Sequence, residues 1–451
     1  MGETRQAVIL AAGQGARLRT LAPVKPLMPL LGMPLLERSI RTLQRCGIDE
    51  IVIVTGYSHE TIGQWFDEWA RRESVATKGI RLVHNPRWHD QENGASLLAA
   101  APYINGRFLL LMADHVYVPE LIDSLSRSDV PDKGVVLAVD GRIRRDDIDL
   151  EDVTRVQLEG RRIRRIGKGL EPHQAFDTGA FLCTPAVFDR MRTVIGQGKS
   201  RISDVMQALA DEGLLMTHHI DGHYWQDVDT PATHAAAERG LLQWAAGKSS
   251  DGHIARRLNR PISRWFTQRF IAAGMTPNQV SLVAFGISCV AALLIALGHY
   301  WALALGGLLV QLASIVDGSD GELARVRLAP SEYGGWFDAL LDRYADGFVL
   351  AALTWYAMQW HASTAYMWLG IAALCGSFVA SYSAHKADRS LPPSRWRMGR
   401  DTRSLIIMVG ALLNLPAVTL AVIAVIMNVA VVHRIVRMRD AARSASRGGV
   451  A

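Results

Sequence analysis

The sequence predicts a two-part chain, a cytosolic α/β domain with a mostly parallel sheet followed by an all-α transmembrane domain of six helices. Three observations predict it. Residues 1–245 carry dispersed charge and short apolar runs, whereas 278–436 contain several runs near the length that spans a bilayer. Runs rich in Val, Ile and Leu at 7–12, 51–55, 80–84 and 108–113 alternate with helical stretches such as 33–46 and 58–72, as in a parallel sheet covered on both faces. Between the two halves, AAGKSSDG at 245–252 loses apolar periodicity and reads as a linker.

These signals divide the chain into a domain at 1–245, a linker at 246–253, a juxtamembrane helix at 254–274, a membrane domain at 275–438 and a basic tail at 439–451. In the juxtamembrane segment Leu258, Ile262, Trp265, Phe266 and Phe270 recur at three-to-four spacing among arginines, which predicts an amphipathic helix at a headgroup boundary. Spans are expected at 279–297, 301–322, 334–358, 364–386, 403–414 with its flanks, and 416–435. The connections near 298–300, 359–363 and 415 lack Lys and Arg, whereas 323–333, 386–403 and the tail are rich in them. By the positive-inside tendency, both termini and the first domain face the cytoplasm across the cell (inner) membrane. The Arg/Ala/Ser/Gly tail reads as disordered and lipid-facing.

Composition narrows the function classes. The net charge of +6 comes from basic residues clustered beside apolar segments, which fits anionic lipid and not nucleic acid. Cys46, Cys183, Cys289 and Cys375 are far apart with no CxxC pair, so they read as reduced packing thiols. The strand-like AVILAAG start, with no basic n-region ahead of it, predicts no removable signal peptide.

The strongest chemical signal is DGSDGELARVRLAPSEYGGWFDALLD, which sets Asp317, Asp320, Asp338 and Asp342 among long apolar runs. Acids at membrane depth are costly and mark functional sites. Spacings of i, i+3 and i, i+4 put each pair on one face of a helix, so two facing helices can converge on a hard divalent cation. Gly321, Ala324 and Gly334 leave room for a bulky ligand to approach backbone, and Arg325 offers a fork for phosphate. The competing reading is two charged cytoplasmic turns neutralised by Arg325, Arg327 and Arg343.

The segment resembles the CDP-alcohol phosphotransferase signature at every specified position from Asp317 to Asp342. The resemblance implies a six-helix membrane enzyme that moves a phosphoalcohol from a CDP-alcohol to an acceptor hydroxyl with two metal ions, Mg²⁺ or Mn²⁺. It further implies Asp317, Asp320, Asp338 and Asp342 as metal ligands, with Asp342 also the general base. A homodimer through the membrane domain is expected. Arg400 and Arg403, with Arg389 and Arg395, are placed to bind a substrate phosphate or anionic lipid.

At the amino terminus, LAAGQGARLRTLAPVKPL follows the first strand. Gly13 and Gly15 let backbone N–H groups face a phosphate, while Arg17 and Lys25 can neutralise a triphosphate. Asp114, at the end of LLLMAD, and Asp227 or Asp229, in YWQDVDTP, are candidate metal ligands. The order of motifs resembles the nucleotidyltransferase family of sugar-nucleotide pyrophosphorylases, with a Rossmann-like sheet. That resemblance implies a base-reading role for Asn85, Asn93 and Ser96, and contact between Lys168 and the second substrate's phosphate.

A chain carrying both parts resembles a bifunctional family that joins an inositol-1-phosphate cytidylyltransferase to a di-myo-inositol-phosphate-phosphate synthase. It implies that CTP activates an alcohol phosphate, with pyrophosphate released, and that the CDP-alcohol then reacts with an acceptor alcohol or lipid, with CMP released. Choline phosphate or an aminoalkylphosphonate is the alternative first substrate. Two rival classes are a pyrophosphorylase tethered by an inert anchor and a lipid-binding scaffold.

Overall fold

A computed structural model describes residues 4–18, 22–73, 77–90, 92–247, 259–360, 363–387 and 399–448. The chain separates into two compact units, Met1–Leu241 and Leu242–Ala451. The expected linker at 246–253 lies mostly outside the described residues, as do Leu258, Arg389 and Arg395.

In the first unit, strand β1 (Gln6–Ala11) is followed by a small hairpin of β2 (Pro29–Leu30) and β3 (Met33–Pro34) and by helix α1 (Leu35–Arg45). Next come β4 (Glu50–Thr55), α2 (His59–Arg72), β5 (Ile80–His84), α3 (Asn93–Ala100), β6 (Phe108–Met112), β7 (His115–Tyr117) and α4 (Pro119–Ser126). The unit continues with β8 (Val135–Asp140), β9 (Thr154–Glu159), β10 (Arg162–Lys168), β11 (Ala175–Cys183), α5 (Ala186–Gly196) and α6 (Ile202–Asp211). It finishes with β12 (Leu215–His219), β13 (Trp225–Asp227) and α7 (Pro231–Ala246), whose last residues enter the second unit.

The main sheet has nine strands in the order β5-β4-β1-β6-β11-β8-β12-β10-β9. β4, β1 and β6 pair in parallel as expected, and every residue of β1 is buried, which is why that strand reads as a continuous apolar run. The expectation of a mostly parallel sheet is nevertheless wrong for the second half. β11 runs antiparallel to both β6 and β8, and β10 is antiparallel to β9 and β12, although β8 and β12 are parallel. For β9 and β10 the physical reason is their tight turn, where Glu159 pairs with Arg162, since a two-residue connection can join only antiparallel neighbours; the direction of β11 is set by the partners between which it inserts. One apolar core unites both halves, with Val8, Leu110, Leu137, Phe181 and Met206 buried among α3, α5 and α6.

The second unit is helical: α8 (Arg260–Ala272), α9 (Pro277–Ala296), α10 (Tyr300–Val326), α11 (Glu332–Trp360), α12 (Ala365–Ala387), α13 (Arg400–Leu412) and α14 (Pro416–Gly448). Thr276 begins α9 with a capping box, accepting from Gln279 N at 3.3 Å while Gln279 Oε1 accepts from Thr276 N at 2.8 Å. Among the described residues four helical stretches are long and apolar enough to cross a membrane: Pro277–Ala296, Tyr300–Val326, Ala365–Ala384 and Pro416–Arg443. α11 carries Asp338, Asp342, Arg343 and Asp346, and α13 has only 13 residues. The tail expected to be disordered is helical through Gly448, because its Arg and Ala residues are good helix formers that prolong α14.

On α8, Ile262 and Trp265 are exposed, Phe266 and Phe270 are partly buried against an apolar cluster, and the most buried positions are Ser263 and Thr267. Glu322 on α10 explains the buried hydroxyls. This fully buried carboxylate accepts from Ser263 Oγ at 2.6 Å, Thr267 Oγ1 at 2.7 Å and Arg260 Nη1 at 2.8 Å. A buried charge needs such partners, so the hydroxyls of Ser263 and Thr267 face inward beside Phe266 and Phe270, which pack on the cluster of Val280 and Leu323, while Ile262 and Trp265 face outward.

Candidate active sites in the two units

In the first unit the site forms at the carboxyl ends of the parallel strands. β1 runs into the turn bearing Gly13 and Gly15. Gly15 has φ +57°, and a Cβ there would come within 2.5 Å of the Lys25 Cβ, so glycine is required where the turn meets that lysine. Lys25 is buried, lies 2.7 Å from Asp114 Oδ2 and also contacts Asp229. Arg17 reaches Asp152 at 2.7 Å and Asp229 at 3.3 Å, and Lys168 pairs with Asp152. The two basic residues expected to face a triphosphate are thus paired with carboxylates on the same wall.

Asp114 and Asp227 meet because β7 and β13 form a two-stranded ribbon in which Asp227 pairs with His115. One ligand atom each from Asp114, His115 and Asp227 lies within 4.8 Å of the other two. Asp229 turns instead to Arg17 and Lys25. His115 Nδ1 is 2.8 Å from Asp114 Oδ1 and 4.0 Å from Asp227 Oδ1, and the latter oxygen is buried with no hydrogen-bond partner among the described residues. A buried carboxylate oxygen without a donor suits a bound cation.

The electrostatics agree. Burial pushes Asp227 up to about 6, helped by Asp114 and Asp229 and opposed by His115 and Lys25. Burial also works against charge on His115, but Asp227 and Asp114 raise it to about 9. For Asp114 burial is outweighed by Lys25 and His115, which hold it well below the usual carboxylate range. The result is a pair of carboxylates, one with an unmatched oxygen.

A cavity of about 710 Å³ opens over this cluster, lined among others by Asn93, Lys168, Asp177, Asp227 and Asp229. Gly179 has φ +73°, and a Cβ there would meet the His115 ring at 3.0 Å and the Tyr117 hydroxyl at 3.1 Å. Asn85 and Ser96 are buried and bound to each other at 3.0 Å, while Asn93 Oδ1 accepts from Ile202 N at 2.9 Å and so secures the start of α6. Asn93 thus lines the cavity, whereas Asn85 and Ser96 bond each other and are not among its lining residues. His115, Asp177 and the network around Asp140 were not legible in the sequence, since nothing in DHVY or DTGAF marks them by spacing.

That network fixes β13. Asp140, almost fully buried, accepts from Trp225 Nε1 at 2.8 Å and Arg145 Nη1 at 3.0 Å. Arg145 also lies 5.1 Å from the Trp225 ring centroid and 3.2 Å from Gln226 Oε1. Trp225 and Gln226 immediately precede Asp227, so these bonds set where its carboxylate points.

In the second unit three of the four acids come together. Asp317 and Asp320 on α10 face Asp338 on α11, with one carboxylate oxygen from each within 4.8 Å of the others. Ser281 on α9 donates to Asp320 Oδ2 at 2.5 Å, and Asp338 Oδ1 is buried with no hydrogen-bond partner among the described residues. This set too fits a cation. The acids lie on helices, which sets aside the reading as charged turns. Asp342, one turn on, pairs with Arg400, which also reaches Asp317 at 2.7 Å. Arg403 lies 2.9 Å from Asp346 and bonds Ser377. Gly321 and Ala324 share α10 with the acids, and Gly334 N donates to Ser331 Oγ at 2.9 Å at the start of α11. Arg325 Nε donates to the Ala245 carbonyl at 2.5 Å, so in this arrangement it holds backbone.

Comparison with known proteins accounts for both units. Residues 7–214 match the MobA-like NTP transferase domain and residues 274–436 match the CDP-alcohol phosphatidyltransferase family. A protein of Rubrobacter xylanophilus named bifunctional IPC transferase and DIPP synthase is 38% identical over 440 residues, covering 96% of this chain and 96% of its own. Its namesake in Aquifex aeolicus is 33% identical over 437 residues, covering 94% and 96%. The phosphatidylinositol phosphate synthase of Mycobacteroides abscessus is 32% identical over 166 residues, 36% of this chain and 74% of its own. With nucleotidyltransferase and CDP-alcohol phosphotransferase parts in one polypeptide and similarity running through both, the chain belongs to the family of bifunctional IPC transferases and DIPP synthases.

Proposed function

We propose that the first unit joins CTP to inositol 1-phosphate and that the second passes the inositol phosphate from the resulting CDP-inositol to the hydroxyl of a second inositol phosphate. The observation that carries this reading is the pair of acid clusters, each with a buried carboxylate oxygen lacking a donor, one in each transferase unit. In the first step a phosphate oxygen of inositol 1-phosphate attacks the α-phosphorus of CTP, the α–β bridge breaks and pyrophosphate leaves. Gly13 and Gly15 supply backbone donors, Arg17 and Lys25 exchange carboxylate partners for the leaving phosphates, and Lys168 meets the entering phosphate. Asn93 lies where the base enters, supported by Asn85 and Ser96.

In the second step Asp342 takes the proton of the acceptor hydroxyl, which attacks the β-phosphorus of CDP-inositol while CMP departs. Arg400 and Arg403 bind the phosphate carried by the acceptor, and the small residues Gly321, Ala324 and Gly334 admit the nucleotide, with Arg325 at its edge. Asp114 and Asp227 in one unit, and Asp317, Asp320, Asp338 and Asp342 in the other, would hold Mg²⁺ or Mn²⁺, which would supply positive charge against the phosphoryl oxygens.

The helices α9 to α14 form six spans of the cell membrane, with α11 tolerated because its acids face the bundle, and both termini are cytoplasmic. The domains are 1–245 and 275–438, the first a Rossmann-like nucleotidyltransferase, and a homodimer forms through the membrane part. The test is incubation of the reconstituted protein with CTP, Mg²⁺ and inositol 1-phosphate, following both leaving groups. Release of pyrophosphate and then CMP is expected. No pyrophosphate with inositol 1-phosphate, but release with choline phosphate or an aminoalkylphosphonate, would replace the substrate assignment.

A further inference from the structure

α8 lies outside the family signature, yet it is stitched into the acid site at two places. Glu322 binds three of its side chains, as described above. The second place is the residue that opens the helix. Asn259 is buried and donates from Nδ2 to Asp401 Oδ1 at 2.6 Å, while its own Oδ1 accepts from Gln311 Nε2 at 2.9 Å. Asp401 Oδ1 also accepts from Ser314 Oγ at 3.2 Å. Gln311 and Ser314 are buried on α10, one to two turns before Asp317.

Asp401 sits in the first turn of α13, directly after Arg400. Arg400 joins Asp317 on α10 to Asp342 on α11. The carboxylate of Asp401 therefore ties the start of α13 to α8 and α10 next to the arginine that closes the site. A short helix start has several orphan N–H groups and frays readily unless it is anchored. Here the anchor is a charge-assisted hydrogen bond between buried Asn259 and half-buried Asp401, the stronger kind of contact.

From this geometry we infer that Asn259 and Asp401 are positioning residues for the second transfer, acting through Arg400. The inference rests on the proposed transfer in the second unit. Neither residue need touch substrate. Their bond sets the height of α13 against α10, and so the placement of Arg400 between Asp317 and Asp342.

The pair allows a direct exchange. In Asn259→Asp/Asp401→Asn the donor and acceptor trade places: residue 259 still accepts from Gln311, the amide nitrogen of residue 401 takes the place of Oδ1 and donates to residue 259 and to the Ser314 hydroxyl, which rotates to accept, and one hydrogen bond still joins the pair. Each single change fails differently. Asn259→Asp sets two carboxylates against each other, and Asp401→Asn removes the charge that holds the amide. The assay uses the full chain in liposomes with Mg²⁺ and inositol 1-phosphate, reading pyrophosphate with CTP supplied and, separately, CMP with CDP-inositol supplied over a range of concentrations.

Each single variant is expected to lower kcat for CMP release by about tenfold or more, as a small misplacement of a site group does, with KM for CDP-inositol changed less and pyrophosphate release at the wild-type rate. The exchange variant is expected to recover most of the loss. Singles that release CMP like wild type would overturn the inference, as would an exchange variant no better than the singles. Wild-type protein that makes pyrophosphate but no CMP with any inositol phosphate acceptor would remove the transfer reading itself, and the inference with it.

Discussion

Replacing Asp140 by Asn perturbs the first unit without touching any group proposed to meet substrate. Its two oxygens accept from Arg142 N and Nε, both at 2.9 Å, from Arg142 Nη2 and Trp225 Nε1, both at 2.8 Å, and from Arg145 Nη1 at 3.0 Å. Asparagine keeps the shape but turns an amide NH₂ toward donors on one side. The Arg142 side chain is 45% exposed, so its share is small; Arg145 is 7% exposed and Trp225 is fully buried. Uncoupling a buried pair of this kind costs about 3–5 kcal/mol. Pulse proteolysis of the detergent-solubilised full chain in urea, scored on the first unit, measures that loss.

The pH dependence has a definite sign. Burial works against charge on Asp140, but bonds from Arg142 and Trp225 hold it below the ordinary carboxylate range. Its contribution is therefore present above the unfolded value of about 3.9 and is lost as pH falls through the lower folded value. The gap between wild type and Asp140→Asn should be full at neutral pH and should narrow on acidification below about pH 4. Because the same bonds hold the strand carrying Asp227, pyrophosphate release should fall as well. A gap under about 1 kcal/mol at neutral pH, or one that widens in acid, would refute the reasoning.

Three further outcomes are expected. Asp227→Asn should abolish pyrophosphate release while CMP release from supplied CDP-inositol continues, measured on one preparation. Gly179→Ala should destabilise the first unit by about 2–4 kcal/mol, from a strained positive φ plus contact with His115 and Tyr117, read in the same urea titration. Burial pushes the Cys46 thiol up to about 12, so iodoacetamide at neutral pH should label it far more slowly in the native protein than after denaturation, followed by mass spectrometry.

Much of both sites was legible because their chemistry follows sequence spacing. The i, i+3 and i, i+4 intervals at Asp317, Asp320, Asp338 and Asp342 fix faces of helices, and the structure brings the first three of these acids together. The glycine turn and Lys25 likewise follow from a strand end and a short loop. What lay beyond reach depends on contacts distant in the chain. The antiparallel insertion of β11 is decided by its partners β6 and β8, and its apolar residues suit either direction. The inward face of α8 carries the hydroxyls of Ser263 and Thr267 beside its phenylalanines because Glu322, some sixty residues later, accepts from both. Asn259 and Asp401 look like ordinary surface polar residues until the fold sets them 2.6 Å apart.

The account stands on two separate acid sites working in series. A ³¹P NMR time course of liposome-reconstituted Asp338→Asn with CTP, Mg²⁺ and inositol 1-phosphate tests that most directly. Accumulation of CDP-inositol with stoichiometric pyrophosphate and no CMP is the predicted result, and continued formation of CMP with a phosphodiester product would contradict it.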